Sequence, residues 1–152
     1  MDARLSRMLH LLIHMGRMDG PLTSEAAATM LGTNPVVVRR TMAGLRDAGH
    51  VRSVKGHGGG WSLTRDLGDI TMLDVHRALG ENRIFALGSA DPKPTCLVEQ
   101  SVNGSLESAL HEAEMLLLRR LGDIPLAEIA ADFDQRMAEL SPDEIAARRH
   151  KL

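Results

Sequence analysis

A glycine-rich loop that follows two short helical patterns is the feature that most constrains the fold of this chain. The loop holds four glycines and one histidine, and it lies between strand-like runs at 51–55 and 61–63. Glycine tolerates positive φ and allows the backbone to approach another surface closely. A hairpin directly after two helices joined by a tight turn predicts the wing of a winged helix-turn-helix, and therefore a DNA-binding domain.

The two helical patterns before the loop have clear start and stop signals. The first covers 25–31 and ends at Gly32. The second covers 35–48 and has Pro35 in its first turn. The N-cap candidates are the polar residues directly before each helix: Thr23 or Ser24 for the first, and Thr33 or Asn34 for the second. The second helix is predicted to be the recognition helix, which enters the major groove.

Helical periodicity and capping signals organise the rest of the chain. They predict helices over 3–18, from a capping box at 71–74 to about 79, over 98–121 and over 126–139, with a second capping box at 141–144.

The predicted fold is mainly α with a small two-stranded β wing, as a winged helix-turn-helix plus a long dimerisation helix. The predicted regions are a DNA-binding domain at 1–66, a connecting helix and sensor loop at 67–97, dimerisation helices at 98–140 and a C-terminal tail, frayed at its end, at 141–152.

The charge of the chain is divided between its two halves. The net charge of −2 alone argues against a nucleic-acid partner. However, residues 1–65 hold nine Lys and Arg against four Asp and Glu, whereas residues 66–152 hold nine against sixteen. A basic front half concentrates attraction for phosphate at one end of the molecule, although chance scatter of surface charge is the alternative explanation.

Length, cysteine usage and hydropathy bound the class of protein. At 152 residues the chain is one domain, or one small domain with an extension. Its single cysteine, Cys96, excludes an intramolecular disulfide, and the sequence shows no 18-residue apolar run and no signal-peptide pattern. We therefore expect a cytoplasmic protein with no membrane partner.

The predicted DNA contacts fall into three groups, each with an ordinary surface role as its alternative. Arg pairs with guanine through two hydrogen bonds and Val contacts the thymine methyl, so the base-reading candidates are Asn34, Val36, Val37, Arg39 and Arg40. The candidates for the minor groove are the wing residues Lys55, His57, Gly58 and Gly59. Phosphate contacts position a protein without reading sequence, and the candidates are Arg4, Arg7, Thr23, Ser24 and Arg65. Trp61 is expected to pack at the wing base rather than stack on a nucleobase.

The whole chain resembles the bacterial family of winged-helix regulators typified by IscR, NsrR and CymR. The matching segments are Arg-Leu-Ser-Arg-Met-Leu near the N-terminus, the block at 45–63 that contains the glycine-rich loop, Ile-Thr-Met-Leu-Asp-Val-His at 70–76, and the Leu-Arg-Arg-Leu-Gly-Asp-Ile-Pro-Leu-Ala-Glu-Ile segment at 118–129. The resemblance covers residues 3 to about 135. It implies a homodimer that crosses through the long helix, binds a near-palindromic double-stranded DNA operator and regulates genes, for which we favour repression.

The chain departs from this family where cluster-binding members carry three cysteines. Only Cys96 lies between the short helix after the wing and the long helix, and an iron–sulfur cluster needs several thiolates. We therefore predict no conventional cluster and no other cofactor. A thiol before a helix has a lowered pKa, so Cys96 is a candidate redox sensor. The alternatives are an inert buried thiol at Cys96 and a small ligand held between the domains.

The long helix carries an apolar stripe too broad for an isolated exposed helix, which indicates a partner subunit. The predicted dimer interface consists of Leu106, Leu110, Ala113, Leu117 and Leu121. On the first helix, His10 and His14 have an i, i+4 spacing that suits zinc. Because no cysteine or carboxylate complements them nearby in sequence, a surface or interface role is favoured and no metal site is predicted.

Two other functions compete with a DNA-binding regulator. An enzyme is disfavoured because the chain has no GxxxxGK[ST] or GxSxG motif and 56–60 lacks the strand-then-helix context of a dinucleotide loop. A lone thiol with scattered histidines could still imitate a thiol-dependent enzyme. A winged-helix module that contacts only proteins is disfavoured by the basic front half. We therefore predict a regulator with no catalytic residues.

Overall fold

The computed structural model describes residues 3–80, 95–141 and 143–145. Within these ranges the chain forms six α-helices, one two-stranded sheet and a short 3-10 helix. In chain order they are α1 (Ala3–Met15), α2 (Ser24–Leu31), α3 (Pro35–Asp47), β1 (Val51–Val54), β2 (Gly60–Leu63), the 3-10 helix (Leu67–Asp69), α4 (Met72–Ala78), α5 (Leu97–Gly122) and α6 (Leu126–Ala138). The predicted fold class, mainly α with a two-stranded wing, is confirmed.

Side-chain caps explain where the two helices of the helix-turn-helix begin. The Thr23 hydroxyl accepts a hydrogen bond from the Ala26 amide at 3.1 Å, and Asn34 Oδ1 accepts one from the Val36 amide at 2.8 Å. Each bond satisfies one of the amides that the first turn leaves without a helical partner. The turn between the helices forms at Gly32, whose φ of 59° is in the left-handed region that glycine favours.

Both predicted capping boxes are formed. The Thr71 hydroxyl accepts from the Asp74 amide at 3.2 Å while Asp74 Oδ2 accepts from the Thr71 amide at 2.9 Å. In the second box, Glu144 Oε2 accepts from the Ser141 amide at 2.9 Å. Most of the predicted C-terminal tail lies outside the described residues.

The wing is an antiparallel hairpin that is also tied to the segment before α2. β1 and β2 pair from Val51 opposite Leu63 to Val54 opposite Gly60. The backbone of Leu22 forms a bridge to Trp61, with hydrogen bonds of 2.8 and 2.9 Å between their amides and carbonyls. This third segment, which the sequence pattern does not indicate, fixes the hairpin to the helix-turn-helix.

One hydrophobic core joins the helix-turn-helix to the C-terminal helix. The largest fully buried side chains include Leu12 of α1, Met42 and Leu45 of α3, Ile70 before α4 and Leu126 of α6. The Leu126 amide donates to the Ile70 carbonyl at 2.8 Å, which connects the start of α6 to the start of α4. The single chain therefore packs one side of α6, through Leu126 and Ile129, against the core of the DNA-binding region, although α6 lies in the region that the sequence assigns to dimerisation.

Helix α6 is also held against α1 by polar and aromatic contacts. Arg17, just after α1, forms an ion pair with Asp134 at 2.7 Å and donates a short hydrogen bond to the Ala130 carbonyl. Its guanidinium carbon lies 4.8 Å from the centre of the Phe133 ring. A cation over an aromatic face is attracted by the ring quadrupole, so Arg17 connects α1 to α6 in three ways.

Helices α3 and α4 approach at backbone distance. A Cβ built on Gly44 of α3 would overlap the Ala78 carbonyl oxygen at the end of α4. Because the obstacle is backbone rather than a flexible side chain, no rotamer change can make room. The close packing of these helices therefore depends on glycine at position 44.

Among the helices that the structure describes, none combines the length and apolar character needed to cross a membrane.

Candidate DNA-binding surface

The recognition helix α3 has a buried side and an exposed N-terminal half. Val38, Met42 and Leu45 face the core. Val36 and Val37 are 62% and 48% exposed although they are apolar. Two neighbouring valines at a helix start therefore present apolar surface to the outside, where a partner can contact them.

Arg39 and Arg40 are exposed on the same half of α3, but Arg39 is already engaged. Its Nη1 donates to Glu25 Oε1 of α2 at 3.1 Å, an ion pair between exposed side chains. Sequence reasoning did not find Glu25, because the two residues are 14 positions apart and on different helices.

Helix α1 contributes basic side chains beside the recognition helix. Arg4 and Arg7 line a narrow cleft together with Val37 and Thr41 of α3. Arg4 also lines a second cleft, of about 310 Å³, with Arg40 and the contact region of α3 and α4. The structure therefore brings the predicted phosphate contacts Arg4 and Arg7 to the edge of the predicted reading helix.

Thr23 and Ser24, both predicted phosphate contacts, have different environments. Thr23 is exposed, and its oxygen caps α2 while its O–H remains able to donate. The expectation for the Ser24 side chain requires correction, because Ser24 is buried and its Oγ accepts a hydrogen bond from Trp61 Nε1 at 3.0 Å. Ser24 thus holds the wing to α2 rather than presenting a hydroxyl to the outside.

The wing tip is exposed and shaped by its glycines. Lys55 and His57 are both exposed. Gly58 has a φ of 76°, and a Cβ on Gly59 would overlap the Val54 carbonyl oxygen. The turn itself therefore accounts for Gly58 and Gly59, and their identity is no independent sign of DNA contact. Lys55 and His57 remain the basic candidates at the tip.

The base of the wing is closed by Trp61. Its side chain is buried, as expected, and its indole N–H is satisfied by Ser24. A buried Trp usually needs such a partner for its N–H. The wing is therefore anchored to α2 by both the Trp61 backbone bridge to Leu22 and the Trp61 side chain.

Arg65 follows β2 and is exposed, near the buried His50 between α3 and β1. Burial lowers the pKa of His50, the Asp74 carboxylate opposes this shift, and the Arg65 charge adds to it. His50 Nδ1 has no hydrogen-bond partner among the described residues. A neutral imidazole is therefore favoured at the junction of α3 and the wing.

Cys96 lies directly before α5, and its thiol is exposed rather than buried. The backbone amides of Glu99 and Val98 at the start of α5 favour the thiolate and lower the pKa of Cys96. Preceding residues of the predicted sensor loop, 81–94, lie outside the described residues. The thiol is therefore accessible in the single chain, which does not fit the buried-thiol alternative.

The exposed apolar surface of α5 is displaced from the predicted dimer interface. Of the predicted interface residues, Leu106 is 57% exposed and Ala113 is also exposed. Leu110 and Leu117 are half-buried, and Leu121 is only 9% exposed because its own chain covers it. The expectation that Leu121 faces a partner is therefore corrected. The predicted interface leaves out several large exposed residues of α5: Leu97, Val98, Val102, Met115 and Leu116.

The two histidines of α1 lie together, and no third metal ligand joins them among the described residues. The rings of His10 and His14 are 4.7 Å apart, and His14 also contacts the Phe133 ring of α6. Burial lowers the pKa of His14, and the charges of His10 and Arg17 lower it further. A contact between helices α1 and α6 accounts for His14.

The chain is similar to transcription regulators. A family model described as Rrf2, iron-dependent transcriptional regulator, matches residues 1–132. The chain is 30% identical over 128 residues to YwnA of Bacillus subtilis (strain 168), which has the provisional name of an HTH-type transcriptional regulator, and the match covers 84% of this chain and 95% of YwnA.

Solved structures share both the fold and part of the sequence. One, provisionally described as a DNA-binding protein, is 30% identical with a TM-score of 0.67, and the match covers 84% of this chain and 98% of that one. IscR of T. potens is 26% identical with a TM-score of 0.57, over 93% of this chain and 91% of IscR. The resemblance inferred from the sequence is therefore confirmed.

The described residues do not fit the iron in the description of the family model. In the ranges 3–80, 95–141 and 143–145, no group of three or more His, Cys, Asp or Glu side chains is placed to hold a metal ion. The single cysteine supplies one thiolate per chain, whereas a cluster needs several. That the protein works without a cofactor stays a prediction.

Proposed function

Because this chain belongs to the Rrf2 family of transcription regulators, we propose that it binds a near-palindromic operator as a homodimer and represses transcription. The observation that carries the proposal is the exposed N-terminal half of α3, which presents two apolar and two basic side chains beside the basic edge of α1. Such a surface suits base edges and phosphates together.

In this proposal the N-terminal half of α3 reads bases in the major groove. Val36 and Val37 contact thymine methyl groups, and Arg39 and Arg40 contact guanine. Asn34 caps the helix through Oδ1, which leaves its amide N–H groups free to donate to an acceptor on the DNA. The helix start therefore combines apolar contact with hydrogen-bond donors.

The wing and the flanking basic residues position the protein on the duplex. Lys55 and His57 enter the minor groove, whose negative potential attracts basic side chains. The phosphate contacts are Arg4, Arg7, Arg65 and the exposed Thr23 hydroxyl. Since the relatives are named as regulators, we propose no catalytic activity. We also propose a cytoplasmic location, which a DNA partner favours.

A second copy of the chain covers the exposed apolar face of α5. This face includes Leu97, Val98, Val102 and Leu106, and Ser101 and Ser105 line the same shallow groove. Large apolar side chains exposed in a row favour association between helices. Two recognition helices related by a two-fold axis then match a near-palindromic operator.

Selection of bound sequences from a random DNA library tests this function. We expect one near-palindromic motif to be enriched, and its affinity to fall at least roughly tenfold between 50 and 200 mM salt, because Lys and Arg release counterions from phosphates. Binding is measured by fluorescence anisotropy with labelled DNA. If no motif is enriched, or if affinity is indifferent to salt, the protein-only module becomes the better account.

The exposed thiol favours a further role for Cys96, as a redox sensor. In the proposed step, the Cys96 thiolate attacks hydrogen peroxide, an S–O bond forms as the O–O bond breaks, and hydroxide leaves, so the sulfur is oxidised to a sulfenic acid. The amides of Val98 and Glu99 that favour the thiolate support this step. Oxidation at the start of α5 would alter the helix that carries the dimer face.

Cys96→Ser tests the sensor proposal. We expect peroxide to weaken operator binding by the native protein and to leave Cys96→Ser unaffected, because Ser cannot form a sulfenic acid. The lowered pKa also predicts that Cys96 is alkylated faster at neutral pH than a cysteine thiol with the ordinary pKa. Equal responses of the two proteins to peroxide would exclude the role of Cys96 without affecting the DNA-binding proposal.

A further inference from the structure

The carboxylate of Glu25 lies beside the recognition helix, on a surface where a negative charge would repel DNA. Glu25 is in the first turn of α2, two positions after the exposed cap Thr23. A negative charge beside phosphates weakens the attraction for every DNA sequence. Glu25 therefore does not serve to increase the affinity for DNA in general.

The contact of Glu25 with the recognition helix suggests that benefit. Glu25 Oε1 accepts from Arg39 Nη1 at 3.1 Å, and the two side chains are 69% and 51% exposed. An ion pair this exposed contributes little to folding. It does restrict the rotamers of Arg39, whose long side chain would otherwise sample many orientations.

One hydrogen bond leaves most of the guanidinium free. Arg has five N–H donors in a planar fork, and Glu25 engages one at Nη1. The Nε and Nη2 donors are on another edge, and two parallel donors are what guanine O6 and N7 require. Arg39 can therefore keep Glu25 and read a guanine at the same time.

We propose that Glu25 is a specificity-determining residue that positions Arg39 for one guanine and lowers binding to DNA that lacks it. This inference rests on the proposed entry of α3 into the major groove. At the matching base pair, Arg39 binds guanine with the Glu25 contact intact. At other sequences, Arg39 must leave Glu25 to reach a phosphate, which places an unpaired carboxylate against the DNA.

A purely structural role of Glu25 makes a different prediction. A carboxylate in the first turn of a helix interacts favourably with the helix dipole. If that were its only role, loss of the charge would change binding to all DNA sequences equally. Glu128 offers a control, since Glu128→Gln removes the same charge from the first turn of another helix, α6.

The test is a set of anisotropy titrations with Glu25→Gln, on the operator selected by the native protein, its single-base-pair variants and a scrambled duplex. We expect affinity for the scrambled duplex to rise roughly three- to tenfold, because a repulsive charge is lost. Discrimination at one base pair should fall about tenfold, equivalent to ~1.4 kcal/mol. Glu128→Gln should change neither quantity, and equal unfolding midpoints of all variants confirm intact folding.

Coupling to Arg39 decides the mechanism. Arg39→Gln should abolish discrimination at the same base pair, and adding Glu25→Gln should reduce it no further. Unchanged discrimination in Glu25→Gln, or a loss of the same size in the Arg39→Gln background, would overturn the inference while the selected operator still supports the proposed function. If the native protein selects no motif, both fall together.

Discussion

Trp61→Ala is expected to destabilise the folded protein by about 4 kcal/mol, since truncation of a buried Trp typically costs about 3–5 kcal/mol. Two losses combine in this variant. The indole leaves a cavity at the base of the wing, and the buried Ser24 hydroxyl loses the donor that satisfies it at 3.0 Å. Because the free energy of unfolding of a whole domain is only about 5–15 kcal/mol, this substitution removes a large fraction of it.

Urea unfolding followed by far-UV circular dichroism, at a fixed protein concentration, measures this effect. Two variants separate its parts. Ser24→Ala removes the acceptor and leaves the indole N–H buried and unpaired, which we expect to cost about 1–3 kcal/mol. Trp61→Phe keeps most of the apolar volume and should lie between native and Trp61→Ala. A loss below about 1 kcal/mol in Trp61→Ala would mean that the wing base is not packed as described.

Leu106→Asp is expected to weaken the proposed homodimer at least a hundredfold, or about 2.7 kcal/mol. Leu106 is 57% exposed in the single chain, so the substitution has little effect on the folded monomer. In the proposed dimer the same position is covered by a second copy, and two carboxylates would be buried without partners. Loss of the dimer separates the two recognition helices, so affinity for the full operator falls while affinity for a half-site is retained.

Sedimentation velocity over a concentration series measures the dissociation constant of the dimer. His111→Asp is the control, because it adds one negative charge at an exposed position of α5 that lies about 140° around the helix from Leu106, away from the groove. The control should remain as dimeric as the native protein. A Leu106→Asp protein that dimerises normally would show that another surface carries the association.

Local signals in the sequence predict much of this fold. The caps Thr23 and Asn34, the capping box of Thr71 and Asp74, and the glycine-rich turn act over a few residues, so their outcome follows from neighbours in the chain. The strand limits differ by one residue because the turn closes with the Gly59 amide on the Gly56 carbonyl, not at the ends of the apolar runs.

Contacts between distant segments account for what the sequence did not predict. Ser24 is a residue type that often caps helices at the surface, but here it is buried and bonded to Trp61, 37 positions later. Leu121 belongs to the same periodic stripe as Leu106, yet one packs inside the chain and the other is exposed. Periodicity identifies apolar positions on a helix and does not say which neighbour covers them. For the same reason the sequence did not indicate Glu25, because its contact with Arg39 depends on how α2 and α3 pack.

The Gly44–Ala78 contact has a consequence for how such a regulator could be retargeted. Position 44 accepts no side chain, and Met42 and Leu45 are buried, so the C-terminal half of α3 is constrained by the rest of the molecule. The exposed positions 36, 37, 39 and 40 carry no such constraint from packing. If α3 reads the operator as proposed, recognition of a new operator can be engineered by exchanging those four side chains, together with Glu25 where Arg39 is replaced.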